Sequence, residues 1–98
     1  MNIIFIAVDK KGKKIRLTDK QWTHITIDHP FMTNFLEDIK EIIENPDKIT
    51  QSLLDDKISY FYKFYKHKKG SNKYLLTIIK YLNGDGFVIS SYFVNKIK

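Results

Sequence analysis

The segment from Ile58 to Val94 limits the fold more than any other part of the chain. Three runs rich in β-branched and aromatic residues, Ile58 to Lys66, Lys73 to Leu82 and Phe87 to Val94, are separated by two short turn-rich links, 67–72 and 83–86. Short links of this kind join antiparallel neighbours, because a parallel return needs a crossover of a dozen residues or more. The expected centre of the domain is therefore an antiparallel meander. Its last strand is unusual in carrying two adjacent hydroxyls and a phenol, Ser90-Ser91-Tyr92, where a plain core strand would carry Val or Ile. Simple alternation places Val88, Ser90 and Tyr92 on one side and Phe87, Ile89, Ser91 and Phe93 on the other, greasier side. A half-exposed sheet face accounts for such polar positions, and so does a binding site.

The upstream half supplies the cover for this sheet. Residues 2–8 read as a strand, 9–14 as a turn and 15–17 as a short returning strand, a β-hairpin. Thr18 precedes Gln21 by three residues, the spacing of a capping box, so a helix is expected over about residues 19 to 29, stopped by Pro30. Phe35, Leu36, Ile39, Ile42 and Ile43 form a helical stripe with Glu37, Asp38, Lys40, Glu41 and Glu44 opposite. Thr33 is the expected N-cap of that second helix and Pro46 its stop. A short strand at 48–52 and a turn at 53–57 follow. The predicted fold is α+β: an N-terminal hairpin and two helices on one face of an antiparallel sheet, one domain over residues 1–98, with the opposite face basic.

Charge distribution carries more information than the net +6. Between Asp28 and Asp56 eight acids stand against Lys40 and Lys48, a local balance of −6, which leaves +12 for the rest. From Lys57 to Gly84 there is no acid, and seven lysines are interleaved with tyrosines and phenylalanines. A basic surface with aromatic rings suits a polyanion, since ammonium groups replace phosphate counterions and rings stack on unpaired bases. Lys63, Lys66, Lys68, Lys69 and Tyr62 are the expected RNA contacts; a solvated Lys-rich face with packing aromatics is the plainer alternative. The acidic helix would repel phosphate and belongs on the other side of the molecule.

Other classes are disfavoured. The apolar runs are too short to span a bilayer, and the N-terminal residues lack a basic stretch before the apolar one, so a cytoplasmic protein without a membrane partner is expected. There is no cysteine, which removes disulfide scaffolds and thiolate metal sites. His24, His29 and His67 lack zinc-site spacing, no glycine-rich phosphate loop is present, and Asn83-Gly84-Asp85-Gly86 is too short for a calcium loop. No metal or cofactor is expected. What remains for chemistry is a histidine on the first helix, a lysine inside an apolar strand at Lys80, and the hydroxyls of the last strand.

The order Arg16-Leu17-Thr18, Trp22-Thr23-His24-Ile25, His29-Pro30, Asn45-Pro46-Asp47-Lys48-Ile49, Tyr62, a hydrophobic strand ending in Lys80, and Val88-Ile89-Ser90-Ser91-Tyr92 resembles the phage-associated branch of the barnase, EndoU, colicin and RelE-like nucleases. The resemblance runs over nearly the whole chain. It departs from the family pattern at Ser90-Ser91, where Thr-Ala is usual, and at Phe31, where an acid follows His-Pro. It implies two helices on an antiparallel sheet and a metal-independent endoribonuclease acting on RNA, tRNA or mRNA, as a toxin or phage effector with an acidic antitoxin or immunity partner. It also implies catalytic roles for His24, Lys80, Ser90, Tyr92 and His29. RNA brings its own nucleophile, the 2′-hydroxyl, so a base, an acid and groups that hold the phosphorane suffice. For His24 the alternative is a helix-face histidine, and for His29 a charge stabilising a helix C-terminus. A noncatalytic nucleic-acid- or ribosome-binding module, or a protein-interaction domain using its acidic helix, would fit the same scaffold.

Overall fold

The computed structural model describes residues 2–98. Its elements in chain order are β1 (Ile3–Val8), β2 (Lys14–Thr18), α1 (Asp19–Asp28), a 3₁₀ turn (Pro30–Asn34), α2 (Leu36–Glu44), β3 (Lys48–Gln51), β4 (Ile58–Phe64), β5 (Tyr74–Leu82) and β6 (Asp85–Val94). The six strands form one sheet in the order β1-β2-β6-β5-β4-β3. The expected meander is its antiparallel centre, β4-β5-β6. One pairing corrects the expectation of an all-antiparallel sheet: β2 runs parallel to β6, joined at Ile15–Gly86 and Arg16–Phe87, so the sheet is mixed. The N-terminal hairpin is thus part of the central sheet.

Local chemistry explains the turns. Asp9 accepts hydrogen bonds from the backbone N–H groups of Lys11 and Lys13, each at 2.9 Å, and closes the first hairpin. Its other carboxylate oxygen accepts from the Tyr81 phenol at 2.8 Å, which ties the hairpin to β5. Between β5 and β6 the link tightens to two residues, Asn83 and Gly84, both with positive φ (52° and 89°). That is the left-handed pair a two-residue hairpin needs, and Asn-Gly meets it at low cost. Gly86 is required for a different reason. A Cβ there would lie 2.8 Å from the Ile15 side chain and 3.0 Å from the Lys80 carbonyl, so the β2–β6 contact depends on its absence.

Both helices cover the same sheet face. Ile39, Ile42 and Ile43 of α2 are buried together with Ile25 of α1, Met32 of the 3₁₀ turn, and Ile15, Leu17, Phe61, Leu75, Ile79 and Val88 of the sheet. Burying an aliphatic side chain of this size contributes about 1.5–3 kcal/mol. The predicted caps differ in detail. Thr18 does accept from the Gln21 backbone at 3.3 Å, but the Gln21 side chain turns away from the cap to the Ile89 carbonyl at 2.7 Å, so the box is half formed. Thr33 does not cap α2. Its hydroxyl donates to the Pro30 carbonyl at 2.8 Å within the 3₁₀ turn, and Phe35 occupies the cap position without a side-chain bond.

The last strand also departs from simple alternation. Ile79 stands opposite Val88 while Ile78 stands opposite Ser90, so Ile89 is an inserted residue. A bulge of this kind reverses the facing of everything beyond it. Val88 and Ser91 are therefore both buried against the core, and Ser90 and Tyr92 lie on the opposite, open face with Ile78 and Leu76. The expectation that Val88 shares a face with Ser90 and Tyr92 is corrected accordingly.

Candidate functional site

Beyond Phe87, β6 has no strand partner on the β2 side among the described residues, and α1 takes that place. Gln21 donates to the Ile89 carbonyl, and one helix length later the His29 ring stacks on Tyr92, with centroids 4.6 Å apart and planes 24° from parallel. These two contacts fix helix and strand side by side, running in the same direction. His24 belongs to the same helix and Ser90, on the open face, to the same strand. His24 is exposed and Ser90 half-buried, and neither side chain is engaged in a hydrogen bond among the described residues.

A cleft opens at each end of this seam. One, of about 390 Å³, is lined by Asp28, His29, Phe31, Lys68, Tyr92 and Phe93, among others. The Lys68 ammonium lies over the rings of Phe93 and Phe31, 4.5 and 5.1 Å from their centroids, and donates to the Asn72 carbonyl at 2.9 Å. The Lys68 cation thus shares a cleft with the His29 imidazole and the Tyr92 phenol. The other cleft, of about 290 Å³, lies between Arg16, Lys20, Gln21, Phe87 and Ile89, with the Arg16 guanidinium 5.5 Å from the centre of the Phe87 ring. Beyond Tyr92, on the open face, a further cleft of about 240 Å³ is lined by Tyr60, Tyr62, Leu76, Ile78, Val94, Lys96 and Lys98.

The residues singled out from sequence do not all come together. His29, Tyr92 and Lys68 line one cleft of the seam, whereas Ser90 lies on the open face and His24 is exposed on α1, and no cleft among the described residues holds both. Lys80 shares the open face with Ser90 by strand register, but its ammonium turns to Asp55, 3.6 Å away. Asp55 is held below its ordinary pKa first by the Lys57 backbone N–H and then by Lys80, so Lys80 is a paired charge. Lys63 faces the helices, 3.5 Å from Glu41, which removes it from the open face. Lys66 and Lys69 are exposed in the β4–β5 link. Tyr62 is on the open face yet buried, its oxygen 3.4 Å from the Lys98 backbone N–H. Arg16, Lys20 and Gln21 line the second cleft but are not among the site residues expected from sequence, where Arg16 enters only as part of the resemblance and Gln21 only as a capping residue.

Among the described residues no group of three His, Cys, Asp or Glu side chains is placed to hold a metal ion, and no helix is long and apolar enough to cross a membrane. No protein-family model matches the chain, and comparison with the curated proteins and with the solved structures finds no match.

Proposed function

We propose that the protein is a metal-independent endoribonuclease whose chemistry runs in the α1–β6 seam. One observation carries this reading: the His29 imidazole stacks on the Tyr92 phenol where α1 lies along β6; His24 belongs to the same helix and Ser90 to the same strand. In the proposed step the substrate's 2′-oxygen attacks the neighbouring phosphorus and the bond to the 5′-oxygen breaks, leaving a 2′,3′-cyclic phosphate and a 5′-hydroxyl. His24 takes the proton of the 2′-hydroxyl, and His29 returns one to the leaving 5′-oxygen. Ser90 and Tyr92 donate to the non-bridging oxygens, where charge develops. The cation that shares the cleft with His29 and Tyr92 is Lys68, whereas Asp55 already neutralises Lys80.

The aromatic open face favours a second reading, a noncatalytic nucleic-acid- or ribosome-binding module. One incubation separates the two. Purified protein is mixed with total RNA in EDTA, and the ends of any fragments are mapped. Cyclic phosphate ends support cleavage; intact RNA over a wide range of protein concentration leaves binding alone. As a toxin, the protein would be held inactive by an acidic antitoxin or immunity protein covering the basic residues at both ends of the seam.

A further inference from the structure

A sheet face turned to water is ordinarily polar, and the open face of this sheet is not. Strand register places Tyr60, Tyr62, Phe64, Tyr74, Phe87 and Tyr92 on it, with Ile58, Leu76 and Ile78 between them. The same face carries Lys14, Arg16 and Lys48. Tyr62 is buried, but the other rings, standing among cations, call for a ligand with flat π surfaces and negative charge. The cleft bounded by Tyr60, Ile78, Tyr92, Val94, Lys96 and Lys98 has the size for one such group. At about 240 Å³ it is below the roughly 300–1,000 Å³ of sites for drug-sized ligands, enough for a planar ring system but not for a duplex end. Tyr92 forms part of its wall and also stacks on His29, so a group bound here lies next to the seam.

We propose that this cleft is a nucleobase pocket: it takes one unpaired base of a single-stranded RNA against the Tyr60 ring, with the adjoining phosphate met by Lys96 and Lys98. The proposal rests on the reading of the seam as the place of cleavage, and it adds a substrate class. A base inside a duplex is stacked on both sides and cannot enter, so duplex RNA is excluded by geometry rather than by charge.

The test uses a short single-stranded 2′-O-methyl RNA, which has no free 2′-nucleophile and so reports binding without cleavage, and the same strand annealed to its complement. The parent protein is expected to bind the single strand at least about tenfold more tightly than the duplex. Tyr60→Leu is expected to weaken single-strand binding about 5- to 150-fold, the usual range for one base–aromatic stack, while Tyr60→Phe keeps it. Lys96→Glu, an exposed substitution, provides a second probe that leaves the sheet untouched, and it is expected to weaken binding and lower its salt dependence. Equal affinity for strand and duplex, parent-like binding by both Tyr60→Leu and Lys96→Glu, or no RNA binding at all would overturn the pocket. Selective single-strand binding without cleavage of ordinary RNA sinks the nuclease reading and leaves the pocket standing. Cleavage indifferent to Tyr60 and Lys96 does the reverse.

Discussion

The two adjacent serines of β6 are expected to behave in opposite ways. Ser91 is fully buried, its hydroxyl donating to the Leu76 carbonyl at 2.8 Å and lying 3.0 Å from the Thr77 hydroxyl, itself fully buried. Ser91→Ala leaves the Thr77 hydroxyl without a partner where water cannot replace it, at a cost of about 1–3 kcal/mol. In a domain of this size each kcal/mol moves the Tm by about 4–8 °C. Thr77→Val alone is milder, about 0.5–1.5 kcal/mol, because Ser91 keeps its carbonyl. Combining the two substitutions removes both polar groups, so the double variant should be more stable than Ser91→Ala, with a coupling of about 1 kcal/mol. Ser90→Ala, which breaks no hydrogen bond, should stay within about 0.5 kcal/mol of the parent and instead slow RNA cleavage. Urea unfolding followed by the emission of Trp22, the single tryptophan, measures all four. If Ser91→Ala unfolds with the parent and Ser90→Ala does not, the bulge at Ile89 is misplaced and the site with it.

Three further outcomes are expected. His24→Ala should lower single-turnover cleavage about 10²–10⁴-fold while RNA affinity holds; cleavage at the parental rate would pass the base role to another group. Replacing Lys66 and Lys69 by Gln should weaken single-strand binding and reduce the slope of log K against log salt by about 0.7 per lost phosphate contact, as read from titrations at several salt concentrations. The Tyr65 and Tyr81 phenols are pushed well above their ordinary pKa of 10.0, first by burial and then by their hydrogen bonds to Asp38 and Asp9. Above pH 10 the unfolded chain therefore gives up phenolic protons that the folded chain keeps, and stability falls as pH rises. Tyr65→Phe with Tyr81→Phe should flatten that alkaline loss in denaturant titrations, and an unchanged pH profile would count against the burial of these phenols.

Periodicity made the helices and the meander legible, because Ile39, Ile42 and Ile43, and the runs Ile58–Phe64 and Tyr74–Leu82, repeat with the period of the face they bury. The inserted residue at Ile89 has no such signature. Phe87-Val88-Ile89-Ser90 reads equally well as an unbroken strand, and only pairing with Ile78 and Ile79 reveals the shift. The parallel β2–β6 contact was hidden for a similar reason, since it joins residues more than seventy positions apart through a glycine chosen for closeness. Gln21 looked like a capping residue because both of its uses are hydrogen bonds, and sequence spacing shows only the local one. Lys63 could have been placed from sequence: it alternates with Phe61, a core residue, so its ammonium had to emerge on the helix side, where Glu41 waits.

The contacts that make the seam join the two ends of the sequence, and this governs when it can exist. Asp9 waits for Tyr81, Gln21 for Ile89, and Ile15 for Gly86. During synthesis the hairpin and both helices leave the ribosome before their sheet partners have been made, and contacts this distant form late because the loop they close is long. The α1–β6 seam is complete only once the last strand lies between β2 and β5.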